Sequence, residues 1–158
     1  MSGSLSIVHV ESEDQINTVR QLFEEYAAGI GISLCFQNFD QELATLPGKY
    51  APPTGRLMLA YFNDDLAGCI ALRAVDANRC EMKRLFVRPA FRGTGLGRIL
   101  VETLTKEART IGYKSMLLDT LPGRMDSAIA LYKKIGFAEI APYYENPVEN
   151  AKFMELKF

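Results

Sequence analysis

The sequence predicts a single mixed α/β (α+β) domain over residues 1–158, with a mostly antiparallel central sheet flanked by helices. Three observations carry that expectation. Two near-continuous apolar runs, RLMLAYF (56–62) and LAGCIALR (66–73), flank Asn63-Asp64-Asp65, as the arms of a hairpin of buried strands do. A strand-like segment, 80–87, is followed by a glycine-rich turn, a stretch of helical period and another short apolar strand, which is the order of a parallel crossover. Helix-period segments lie on both sides of this block, so helices cover the sheet.

In chain order, LSIVHV (5–10) reads as a first strand. Ser12 with Gln15 three residues on forms a capping box for a helix whose core face is Ile16, Val19, Phe23, Tyr26 and Ile30, with Gly29 and Gly31 available to end it. Asn38 and Gln41 suggest a second capping pair, for a short helix carrying Phe39, Leu43 and Leu46 and stopped at Pro47. After the hairpin and the third strand, Leu96, Leu100, Leu104, Ala108 and Ile111 mark a helix that Gly112 closes. SMLLDT (115–120) is a short buried strand. A last helix runs from about Asp126 to Ile135, with Gly136-Phe137 terminating it, and FAEI and KFMELKF supply the final strands.

Composition narrows the function. At 158 residues the chain is long enough for one core, with 48% hydrophobic and 23% charged residues and no run approaching the ~20 apolar residues of a membrane span. The net charge of −1 provides no global basic field, so neither nucleic acid nor an anionic membrane is an expected partner. The first residues lack a secretory pattern, and a cytoplasmic location is the expectation. The three cysteines, Cys35, Cys69 and Cys80, form no C-x-x-C and read as buried free thiols, with no metal site.

RGTGLG (92–97) places glycines at 93, 95 and 97, directly after a strand and before a helix. Without Cβ atoms, its backbone N–H groups form a nest at a helix N-terminus that suits a phosphate, and Arg88, Arg92 and Arg98 can add charge-assisted bonds. A tight turn with solvated arginines is the plainer alternative. A Walker loop is absent because no G-K-[ST] follows, and a Rossmann fingerprint would need glycine where Arg98 stands.

CEMKRLFVRPAFRGTGLGRILVETL resembles the acetyl-CoA-binding motif of the GNAT superfamily of N-acetyltransferases, V-x-P-x-x-[RQ]-x-x-G-x-[GA], with Val87, Pro89, Arg92, Gly95 and Gly97 matching. ALYKKIGF (130–137) is similar to the family's later A-x-x-L-Y-x-x-x-G-F helix at Leu131, Tyr132, Gly136 and Phe137. The resemblance covers roughly residues 55–140 and implies a GNAT-like acyl-CoA N-acyltransferase fold. It implies that coenzyme A lays its pyrophosphate on Arg92, Gly93, Thr94, Gly95, Leu96 and Gly97, with Arg98 adjoining. Pantetheine would run along the backbone of Leu85, Phe86 and Val87, whose N–H groups near Leu85 polarise the thioester oxygen. Many members carry an asparagine near the start of the last helix; here Asp126 or Ser127 would take that contact.

An alkylammonium has a pKa of about 10, so about one amine in a thousand is nucleophilic at pH 7 and a base helps. Strand parity would place Glu81 on one face with Lys83, Leu85 and Val87, and the family's protein-acetylating members have a glutamate at the matching place. Glu81 is therefore the candidate base; a strand-edge carboxylate paired with Lys83 or Arg84 is the alternative. The resemblance gives Tyr132 the role of general acid toward the departing thiolate, against a tyrosine that merely packs. Tyr143-Tyr144 with Glu145, and residues 35–53, are expected as walls of an acceptor pocket or as aromatic packing at the sheet edge. Asp40, Glu42 and Glu145 would favour a cationic acceptor.

The expected activity is transfer of an acetyl group from acetyl-CoA, as cosubstrate and with no metal, to a primary amine of a small molecule by direct attack in a ternary complex. Acetylation of a protein lysine or N-terminus and a non-catalytic acyl-CoA-binding module are the alternatives. A homodimer is left open.

Overall fold

The computed structural model describes residues 3–31, 38–123, 125–148 and 150–158. Its strands are β1 (Leu5–His9), β2 (Arg56–Phe62), β3 (Asp65–Ala74), β4 (Arg79–Val87), β5 (Ser115–Thr120), β6 (Ala138–Ile140) and β7 (Lys152–Lys157). Its helices are α1 (Glu13–Ile30), α2 (Phe39–Thr45), α3 (Leu96–Ile111) and α4 (Asp126–Ile135). The strands make one seven-stranded sheet in the order β1-β2-β3-β4-β5-β7-β6. Every neighbouring pair is antiparallel except β4 and β5, the expected crossover through α3.

Two apolar layers hold the helices to the sheet. On one side Leu96, Leu100, Leu104 and Ala108 of α3 and Tyr132 of α4 meet Met58, Ile70, Met82, Met116 and Leu118. On the other, Ile16, Val19, Leu22 and Phe23 of α1 and Phe39 of α2 meet Leu57, Leu59, Cys69 and Phe86. Cys69 and Cys80 are free and buried, and burial pushes the Cys80 thiol up to about 12; Cys35 lies outside the described residues. No described helix is long and apolar enough to cross a membrane.

The start of α1 forms as the sequence predicts: Gln15 N donates to Ser12 Oγ at 3.2 Å and Ser12 N to Gln15 Oε1 at 3.0 Å. Ser12→Ala is expected to lower stability by about 1 kcal/mol, read as a shift of the urea midpoint at constant slope. The second capping pair does not form. Asn38 sits in the left-handed region, φ 56°, and its side chain makes no cap hydrogen bond.

The decisive irregularity is in β4. Cys69 pairs with Phe86 and Ala71 with Lys83, so Arg84 and Leu85 together oppose Ile70, and Arg84 takes φ 60°. This is a β-bulge, and it inverts the alternation of side chains. The parity expectation is thereby corrected: Leu85 and Val87 join the α3 side, while Glu81 and Lys83 stay on the face opposite Met82, toward α1 and α2. β4 and β5 pair only at Arg79↔Ser115, Cys80↔Met116 and Glu81↔Leu117. Beyond Glu81 the two strands part.

Candidate functional site

A cavity of about 840 Å³ opens where β4 and β5 part. Residues 82–87 line one side, and Leu118 and Asp119 of β5 face them. The glycine turn closes one end and α4, through Ser127, Leu131 and Tyr132, another.

The turn is shaped as its glycines require. Gly93 and Gly95 have φ 81° and 84°, and a Cβ built at either meets nothing within 4 Å. Gly95 is the N-cap of α3 with no side-chain cap bond, so the first helical N–H groups, on Leu96, Gly97 and Arg98, have no side chain of the cap residue over them. Arg92 and Arg98 line the cavity, each with Nε engaged: Arg92 with Val87 O at 3.0 Å, Arg98 with Glu102 at 2.8 Å. Arg88 does not join them. Its guanidinium grips Glu25 of α1 at 3.1 and 2.8 Å, a pairing that sequence alone could not show. Thr94 turns its hydroxyl back to Phe91 O at 2.6 Å and is outside the cavity wall.

Leu85, Phe86 and Val87 all line the cavity, along the stretch of β4 that β5 leaves unpaired. Tyr132 is 6% exposed, its ring 5.6 Å from that of Phe137, and burial holds its phenol well above the ordinary value, so it keeps its proton at neutral pH. Ser127 lies in the wall. Asp126 is there too, but its Oδ1 accepts from Gly123 N at 2.7 Å and stiffens the approach to α4.

Glu81, like Thr94, is not brought to the cavity wall. It is 0% exposed, with Arg73 Nε at 2.7 Å from Oε1 and the Tyr143 hydroxyl at 2.5 Å from Oε2. Burial alone would raise its carboxyl, but the charges of Lys83 and Arg73 and the bonds from Tyr143 and Arg73 override it and hold it low. Both of its oxygens are occupied, which fits an anchored anion better than a base in contact with an acceptor.

Tyr143 and Tyr144, on the loop between β6 and β7, stand behind this corner. Both rings meet Phe153, at 5.1 and 5.2 Å, and Tyr144 donates to Asp119 Oδ2, which also accepts from Asn146 Nδ2 at 3.0 Å. They thus serve both as edge packing and as supports for two carboxylates. Glu42 is spent on Arg84, at 2.9 Å through both guanidinium contacts, and Arg84 in turn lies 5.2 Å from the Phe39 ring. Asp119 itself escaped the sequence reading; the available signal was an acid directly after the apolar stretch Met116-Leu117-Leu118.

Residues 17–137 match the Acetyltransferase (GNAT) family. An uncharacterised N-acetyltransferase of Schizosaccharomyces pombe is 40% identical over 157 residues, covering 98% of this chain and 96% of its own. The IAA acetyltransferase of Azospirillum brasilense is 36% identical over 130 residues, 80% of this chain and 81% of that one. The PaiA N-acetyltransferase of Thermoplasma acidophilum, solved in complex with coenzyme A, has the same fold, with a TM-score of 0.72 at 22% identity over 98% of this chain and 99% of that one. The family match runs from α1 through the glycine turn to the end of α4, and with a relative aligned along nearly the whole chain it shows that this protein belongs to the GNAT family of acetyltransferases.

Proposed function

We propose that the protein, as one domain over residues 1–158, transfers the acetyl group of acetyl-CoA to a primary amine of a small molecule, by direct attack in a ternary complex. The observation that carries this is the opening of three features into one cavity: an uncapped glycine turn, an unpaired strand edge and a buried, protonated phenol.

The residues present fit coenzyme A. The empty space where Cβ atoms of Gly93 and Gly95 would stand lets a pyrophosphate approach the N–H groups of the turn, and the α3 dipole with Arg92 and Arg98 favours its charge. The edge of β4 at Leu85, Phe86 and Val87 that β5 leaves unpaired offers a peptide-like partner to pantetheine, and Ser127 contributes a hydroxyl from α4. Bound there, acetyl-CoA supplies an activated acyl thioester. N–H groups near Leu85 polarise the acyl oxygen as the amine nitrogen bonds the acyl carbon and the C–S bond breaks; Tyr132 gives the proton held at Oη to the leaving sulfur, and the proton lost by the nitrogen passes to solvent, which restores the phenol. Glu81 enters as a positioning residue, fixing Arg73 and Tyr143 beside the cavity, rather than as the base.

The test begins with the donor. Coenzyme A at 100 times its Kd is expected to add about 2.7 kcal/mol of stability, seen as a raised Tm, while NAD and ATP leave it unchanged. No response to coenzyme A would sink the reading. Free-thiol release across small amines, amino acids and peptides then separates a small-molecule acceptor from a protein one.

A further inference from the structure

Two carboxylates, Glu81 on β4 and Asp119 on β5, stand near the point where these strands part, and the fold treats them differently. Glu81 is sealed from solvent and ion-paired with Arg73. Asp119, two positions beyond Glu81's partner Leu117 on β5, lies in the cavity wall. Its described hydrogen-bond donors are neutral, the Tyr144 hydroxyl and the Asn146 amide, and both reach Oδ2; no described residue donates to Oδ1. The other carboxylate of the wall, Asp126, is committed to Gly123 N.

The groups that feel the charge of Asp119 come from three sides: Tyr26 on α1, Lys83 on β4, Tyr132 on α4, and, beside α4, Tyr143 and Tyr144 on the loop before β7, while β7 itself pairs Phe153 with it. Burial raises all four of Tyr26, Tyr132, Tyr143 and Tyr144, which therefore stay neutral at pH 7. Lys83 is the one cation among these five, and the opposite charge it feels most is that of Glu81. Among the described residues the Asp119 carboxylate is thus held by neutral donors, near enough to the Tyr132 phenol for its charge to act on it. Elsewhere the cavity wall is apolar, with Met82, Leu118 and Leu121 among its lining residues.

We infer that Asp119 receives the acceptor's nitrogen as an alkylammonium, through a charge-assisted hydrogen bond to its carboxylate, and that the acceptor class is a cationic primary amine with an apolar body. This rests on the acetyl-transfer reading of the same cavity. Tyr144 and Asn146 act as positioning residues: by holding Oδ2 they aim the other oxygen.

The experiment measures calorimetric Kd values of the full chain saturated with coenzyme A for two probes of one shape, phenethylammonium and 2-phenylethanol. Wild type is expected to prefer the cation by about tenfold or more, the scale of a charge-assisted bond. Asp119→Asn keeps the shape and should bring the two Kd values together, through weaker amine binding, with the alcohol and coenzyme A affinities unchanged. Tyr144→Phe keeps the charge and should keep the direction of the preference. Equal affinities in wild type overturn the inference even where the variant does not fold, and so does a preference that survives in Asp119→Asn. Failure of the wild type to bind coenzyme A strikes the acetyl-transfer reading instead.

Discussion

Tyr132→Phe is expected to lower kcat about a hundredfold while the Kd for coenzyme A stays within about twofold of wild type. The ring keeps its place against Phe137, so little apolar area is lost and the fold has no reason to loosen. What disappears is one proton, held at a site where burial keeps the phenol neutral across the physiological range. Positioned acids contribute about 10²- to 10⁴-fold, and the lower end applies because a thiol leaves tolerably even as its anion. The comparison requires kcat with the best amine acceptor found, beside a calorimetric Kd. An unchanged kcat removes Tyr132 from the chemistry and makes water the proton donor.

Gly95→Val is expected to erase the rise in Tm that coenzyme A produces. Gly95 has φ 84°, a conformation that a β-branched residue rarely adopts, and reaching it costs roughly 1–2 kcal/mol. The protein itself has room, since a Cβ at this position meets nothing within 4 Å. The damage therefore falls on the ligand: the branched side chain stands over the N–H groups at the start of α3, where the pyrophosphate would approach. Thermal shift of the variant with and without coenzyme A reads both effects, a small loss of stability without ligand and no gain with it. A full gain in the variant would move the phosphate site away from this turn.

The parts of the molecule that could be read from sequence are those fixed by neighbours in the chain. Ser12 and Gln15 cap α1 because both bonds lie within one turn, and the glycines at 93 and 95 announce a left-handed backbone that nearby residues dictate. The strand limits of β2 and β5 and the ends of α3 came through for the same reason, each being bounded by turn residues. Asn38 misled because its side chain type suits a cap while its backbone went left-handed. The parity of β4 misled more seriously. Nothing in KRLF marks an extra residue at Arg84, and the bulge is visible only opposite Ile70 on another strand. Everything downstream of that slip concerns side chains that meet across the sheet: Arg88 turning to Glu25, Glu81 taken by Arg73 and Tyr143, Asp119 held by Tyr144. Those are long-range pairings, and periodicity carries no record of them.

Tyr143 and Tyr144 are consecutive residues that reach back 62 and 25 positions, one to Glu81 and the other to Asp119. A single peptide unit therefore ties both carboxylates, and neither phenol can leave far without the other. If the loop before β7 detaches in a local opening, Asp119 loses both of its described donors and Glu81 loses Tyr143 in one cooperative event, while Glu81 keeps Arg73 of β3 and the turn at Gly93 and Gly95 stays anchored by α3. Amide exchange across this protein should then divide by substrate rather than by layer: the half proposed to face the acceptor nitrogen opens and recloses as a unit, and the half proposed to hold the phosphates stays shut.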